Sequence, residues 1–158
     1  CRVCIMTSHE KAAETDTARI RVDCSAQRLF AFMADPANLD LWSFGTWRTD
    51  IADDGLVHGR SIFDGASIYL RIVADAENGI VDFHIGPDPG QLVRRIFANV
   101  LLVDAPDSYS SDQADLLLIA LRTEGMDEDR WDGLKVSHAF EVRLIKRLIE
   151  SGFDHRRM

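Results

Sequence analysis

The chain has 158 residues, 46% of them hydrophobic and 28% charged, which is ordinary globular usage and enough to bury one substantial core. Its 18 basic residues against 26 acidic ones leave a net charge of −8, which argues against nucleic acid as a partner, because neutralising phosphates needs a basic face. No apolar run approaches the roughly 18 residues of a membrane span, and no signal-peptide pattern opens the chain, so a cytoplasmic protein with no membrane span is the expectation.

Residues 1–16 read as a flexible leader, polar after Met6, which is itself compatible with a start codon. Cys1, Cys4 and Cys24 are too few and too clustered for a disulfide framework. The Cys1-x-x-Cys4 pair invites a zinc reading, but a structural site needs two further ligands and no second Cys pair or His-x-x-x-His follows. No metal and no cofactor are expected. Ile20 and Val22 alternate with Arg19, Arg21 and Asp23, the period of a strand with one buried face. Ser25 can cap a helix whose apolar positions Leu29, Phe30, Phe32 and Met33 fall three or four apart. Asp35-Pro36 stops that helix, and Pro36 suits the first position of a second short one ending in Leu41 and Trp42.

After Trp42 the spacing predicts a meander of strands. Gly45 to Ile51 carries Trp47, Asp53-Asp54-Gly55 turns into Leu56 to Phe63, and Asp64-Gly65 turns again. Ile68, Leu70 and Ile72 alternate with Ser67, Tyr69 and Arg71, and Glu77-Asn78-Gly79 closes that hairpin. Val81, Phe83 and Ile85 form the apolar face of the next strand, so Asp82 and His84 are expected to face solvent. Leu92 to Val103 and Leu116 to Leu121 are apolar on both parities, as in strands covered on both sides or central in a sheet. At about 100° per residue, Trp131, Leu134, His138, Val142, Ile145 and Ile149 share one stripe of a late helix. Acidic residues crowd its start, Arg143, Lys146 and Arg147 lie towards its end, and Gly152 fits its stop. The order describes an α+β layer structure: 1–16 leader, 17–153 one domain, 154–158 a tail.

The run Ser25 to Phe32, followed by Asp35-Pro36, Leu39 and Trp42, resembles the opening of the START-like superfamily. That group is also called SRPBCC, or the polyketide cyclase/dehydrase and lipid-transport family. The element order is compatible from about Thr17 to Gly152. The resemblance implies a helix-grip fold, in which an antiparallel sheet wraps around a long C-terminal helix with two short helices after the first strand. It also implies a hydrophobic cavity between sheet and helix.

Candidate ligand-contacting residues follow. His138 is the one polar group in the middle of the late-helix stripe. It reads either as a core histidine satisfied by a carbonyl or water, or as an acid/base group able to titrate near neutrality. Its spacing to Glu141 could offer one edge of a metal site, but no other helix supplies further ligands. Asn99 shares a parity with Phe97 and Leu101. His58 and Arg60 share one with Leu56 and Ile62, while Val57 and Phe63 lie on the other, so the inward face of that strand is open. Trp42 and Trp47 can gate or stack, and Phe83, Trp131 and Val142 complete the expected lining. There is no Gly-x-Ser-x-Gly elbow, phosphate loop, dinucleotide fingerprint or HExxH motif.

Three functions follow. The leading one is a carrier or sensor of a small hydrophobic ligand such as a lipid or polyketide-like aromatic. A second is a cyclase, aromatase or dehydratase-type lyase in which His138 moves a proton and Asn99 or Arg60 polarises a carbonyl. A third is an interaction module or homodimer using Val136, Phe140 and Leu144 on the opposite side of the late helix.

Overall fold

The computed structural model describes residues 14–101 and 112–158. In chain order the elements are β1 (Thr15–Val22), α1 (Ala26–Ala34), a 3-10 turn (Pro36–Asn38), α2 (Leu39–Trp42), β2 (Trp47–Ile51), β3 (Val57–Arg60), β4 (Ser67–Asp75), β5 (Ile80–Gly86), β6 (Val93–Leu101), β7 (Ala114–Leu121), α3 (Glu128–Ser151) and a last 3-10 turn (His155–Arg157). Consecutive strands from β2 to β7 pair antiparallel, and β1 adds to the far side of β7, giving the order β1-β7-β6-β5-β4-β3-β2. The chain between β1 and β2 therefore spans the breadth of the sheet. It does so as α1 and α2, on the face that α3 also covers.

One face of every strand turns to these helices. Leu116 and Leu118 of β7, Val81 and Phe83 of β5, and Leu70 of β4 are each at most 2% exposed, and they form one core with Leu29 and Met33 of α1 and Ile145 of α3. Ala98, Ala114 and Ala120 are wholly buried on the same face, where small side chains admit close helix approach. The architecture is the START-like helix-grip fold that the sequence led us to expect.

Local chemistry sets the boundaries. The Arg28 N–H donates to Ser25 Oγ (3.3 Å) at the start of α1, and the Ala37 N–H to Asp35 Oδ1 (2.9 Å), with Pro36 at the first turn position. Asp127 Oδ1 accepts from the Arg130 N–H (2.7 Å) and caps α3. Gly152 closes α3 in the left-handed region at φ +67°. Gly79, at φ +66°, turns β4 into β5, and a Cβ there would lie 2.5 Å from the Val100 carbonyl oxygen.

Three boundaries differ from the sequence reading. β1 starts at Thr15, inside the stretch read as leader, because Glu14 is already anchored: its carboxylate accepts from Trp131 Nε1 (3.0 Å) and pairs with Arg122 (2.8 Å). Cys1, Cys4 and the remainder of residues 1–13 lie outside the described residues. β3 is shorter than Leu56 to Phe63, since Gly65 N–H donates back to Ser61 O (2.9 Å) and curls 61–65 into a turn. The 154–158 tail is tied down, with Arg156 donating to the Ala37 carbonyl and pairing with Asp154. Among the described residues no helix is long and apolar enough to cross a membrane.

Candidate functional site

Between α3 and the inner face of the sheet lies a cavity of about 60 Å³. Leu70, Phe83 and Ile85 supply its sheet wall, and Leu39 and Trp42 of α2 close one side. The Trp42 and Phe83 rings meet edge to face at 5.8 Å, an arrangement aromatic quadrupoles favour. Leu134, Ser137, His138 and Glu141 of α3 form the opposite wall. Phe63, Arg130 and Ser137 also border a more open cleft outside, so they stand between the cavity and solvent.

Two ionisable groups are buried in the α3 wall. His138 is 2% exposed and Glu141 3%, and His138 Nε2 lies 3.8 Å from Glu141 Oε2. The Phe44 N–H donates to Glu141 Oε1 (2.8 Å), tying the chain after α2 to the middle of α3. His138 Nδ1 is buried and has no hydrogen-bond partner. Burial penalises both charged forms, pushing the imidazole pKa down to about 4 and the carboxyl up to about 7, against a small opposing effect of the Phe44 N–H. Near neutrality His138 is therefore the neutral acceptor and Glu141 the group poised to gain or lose a proton. Of the two sequence readings of His138, the one in which it titrates near neutrality is disfavoured by this burial.

A register shift shapes the sheet wall. Phe83 pairs with Ile96, but His84 pairs with Arg94, so β6 carries one extra residue, Arg95, against β5. Such a bulge re-aims side chains. Arg94 points to the outer face, where it pairs with Asp82 (2.7 Å) and lies over the Phe97 ring, whereas both Arg95 and Ile96 line the cavity. Arg95 is half-buried, and its guanidinium is disfavoured by desolvation and then by the charge of Arg130.

Of the residues singled out from the sequence, Trp42, Phe83 and His138 meet at the cavity. Trp131 and Val142 are buried, at 1% and 3%, but face the core. Trp47 is an edge residue at the start of β2, with Arg48 stacked on it at 4.8 Å. His58 and Arg60 are placed outside the cavity, because Val57 and Gly59 occupy the inner face of β3. The His58 ring stacks on Tyr69 (4.7 Å), and Arg60 donates to the Gly65 carbonyl. Asn99 sits opposite Ile80 and Leu117 on the face away from Ala98 and Val100, its Oδ1 buried without a partner. On the far side of α3, Val136 and Phe140 are 72% and 54% exposed, and Phe140 stacks on Phe44 at 5.7 Å. Arg95 and Arg130 were not anticipated, and Glu141 was named from the sequence only as one edge of a metal site. Only Glu141 left a signal, as the charged member of the spacing Leu134, His138, Glu141, Ile145.

No family model matches the chain, and no curated protein matches it in sequence. Solved structures define the class of fold. A START superfamily protein from Mycobacterium smegmatis aligns over 88% of this chain and 99% of its own, at 12% identity and TM-score 0.57. The di-domain ARO/CYC protein BexL from the BE-7585A biosynthetic pathway aligns over 86% of this chain and 45% of its own, at 17% identity and TM-score 0.58. The Aha1 dimer from Colwellia psychrerythraea aligns over 89% and 99%, at 15% identity and TM-score 0.63. The chain thus shares a START-like fold with these proteins.

Proposed function

We propose that the protein binds and carries a small hydrophobic ligand, a lipid or polyketide-like aromatic, between the sheet and α3. The observation that carries this reading is the wall itself. Trp42, Leu70, Phe83 and Ile85 present an apolar, largely preformed surface, with a few polar groups on α3 to fix orientation. At about 60 Å³ the cavity is small, whereas ligand sites usually run to roughly several hundred. Occupation by an aromatic therefore requires Phe63, 47% exposed, and the Arg130 side chain stacked on it (4.8 Å) to swing outward. Native mass spectrometry of the purified protein, followed by titration with naphthamide as a neutral aromatic probe, tests the reading. Co-purified ligand or saturable naphthamide binding supports it, and an empty protein that also ignores the probe ends it.

One observation favours a second reading, proton transfer of the cyclase or dehydratase kind: Glu141 and His138 share the cavity wall in opposite protonation tendencies. Full turnover of a confirmed substrate by both His138→Ala and Glu141→Gln would remove it.

A further inference from the structure

We propose that the ligand of this cavity is amphipathic, with one anionic oxygen head group, a carboxylate or a phosphate, held between the Arg95 and Arg130 guanidinium groups. This deepens the carrier reading and depends on it. The two arginines come from different elements, β6 and the first turn of α3, and both line the cavity. Neither side chain makes a hydrogen bond or ion pair among the described residues. Arg130 stacks on Phe63, and its charge acts on the exposed Asp64.

That arrangement is unusual for this chain. The protein carries 26 acidic residues against 18 basic ones, and its other half-buried arginines find carboxylates: Arg122 pairs with Glu14 and Glu128, and Arg71 with Asp54. Arg94 and Arg95 are neighbours in sequence, yet the bulge sends the first to an acid outside and the second to the cavity without one. Two guanidinium groups close enough to perturb each other, one of them half-buried, raise the energy of the empty site. A bound oxyanion relieves both the repulsion and the desolvation, and the planar fork of arginine suits a carboxylate or phosphate. The buried acid of the same cavity, Glu141, lies eleven residues along α3 from Arg130 and is largely protonated until about neutrality, so it opposes an anion weakly. The apolar body of the ligand would then lie against Trp42 and Phe83.

The test compares naphthamide, naphthoate and naphthyl phosphate, which share one ring system and differ in head-group charge, by calorimetric titration near pH 6.5. The expected result is that at least one anion binds the wild type about tenfold or more tighter than naphthamide, as a charge-assisted hydrogen bond would give. The stronger of the two anions names the head group. Arg95→Gln should abolish that preference while leaving naphthamide binding in place, and Arg94→Gln, on the outer face, should keep it. Arg95 has no partner to lose, so its variant should melt no lower than wild type, and Arg130→Gln provides an independent check. Equal affinity for neutral and anionic probes, or a preference that survives both Arg95→Gln and Arg130→Gln, overturns the inference and leaves the carrier reading intact. If the protein purifies empty and no probe binds, the carrier reading fails and takes the inference with it.

Discussion

Replacing Glu141 by Gln should stabilise the protein at alkaline pH and leave it unchanged in acid. The carboxyl pKa rises from 4.5 in the unfolded chain to about 7 in the fold, because burial penalises the anion. A group with a raised folded pKa contributes fully below its unfolded value, and that contribution is lost as pH rises through the folded value. The stability difference between variant and wild type should therefore be near zero at pH 4.5. It should grow through the window up to pH 7 and level off above it. At 1.36 kcal/mol per unit, the plateau is about 3 kcal/mol in favour of Gln. The Gln carbonyl can still accept the Phe44 N–H, so the contact that anchors the chain after α2 survives.

In the wild type the same site hides this dependence. His138, lowered from 6.5 to about 4, contributes stability above pH 6.5 that is lost as pH falls through 4, the opposite sense. Between pH 4.5 and 6.5 the folded pair keeps one proton, on Glu141, and the unfolded pair keeps one, on the imidazole. Folding then moves a proton from one residue to the other without net uptake, and the pair contributes a flat profile. Arg95 and Arg130 are the other charged groups lining the cavity. Urea melts of wild type and Glu141→Gln from pH 4.5 to 8, followed by tryptophan fluorescence, measure the difference. A difference that stays flat across that range, or a variant less stable at pH 8, would refute a carboxyl buried as its neutral form.

Other outcomes follow from single contacts. Asp127→Ala removes the side-chain cap of α3 and should cost about 1 kcal/mol, seen as a lower urea midpoint with an unchanged m-value. Gly79→Ala combines a left-handed backbone with a Cβ 2.5 Å from the Val100 carbonyl, so the β4–β5 hairpin must shift. The loss should exceed the roughly 1 kcal/mol that marks an ordinary turn glycine, and a melting temperature equal to wild type would contradict the close approach.

The parts of the fold legible in the sequence were those set by local pattern. The Ser25 cap, the Asp35-Pro36 break and the stripe through Trp131, His138 and Ile145 each depend on neighbours within a turn or two, and each stands where the pattern put it. His58 and Arg60 were harder, because the parity of β3 is decided by its partner: Val57 lies opposite Leu70, and that pairing turns Val57 inward and His58 out. Glu141 was visible in spacing, but only as a metal ligand beside His138, a role set aside because no other helix supplies further ligands. In α3 it occupies the core position between His138 and Ile145, where burial rather than solvation sets its protonation.

Arg95 was illegible for a stronger reason. Strict alternation back from Val100, Ala98 and Ile96 puts Arg94 inside and Arg95 outside, and the structure has the reverse. The reversal comes from the β5–β6 register, where Phe83 meets Ile96 and His84 meets Arg94, a property of two strands that neither strand carries alone. Local rules and observed placement part company at Arg95 and at Glu141, and both residues face the same cavity, one from each wall. A chain selected only for a stable core would have filled those positions with apolar side chains, since each charge costs stability where it lies. Their convergence on one space identifies the cavity, more than its apolar lining does, as the place where this fold gives up stability for recognition.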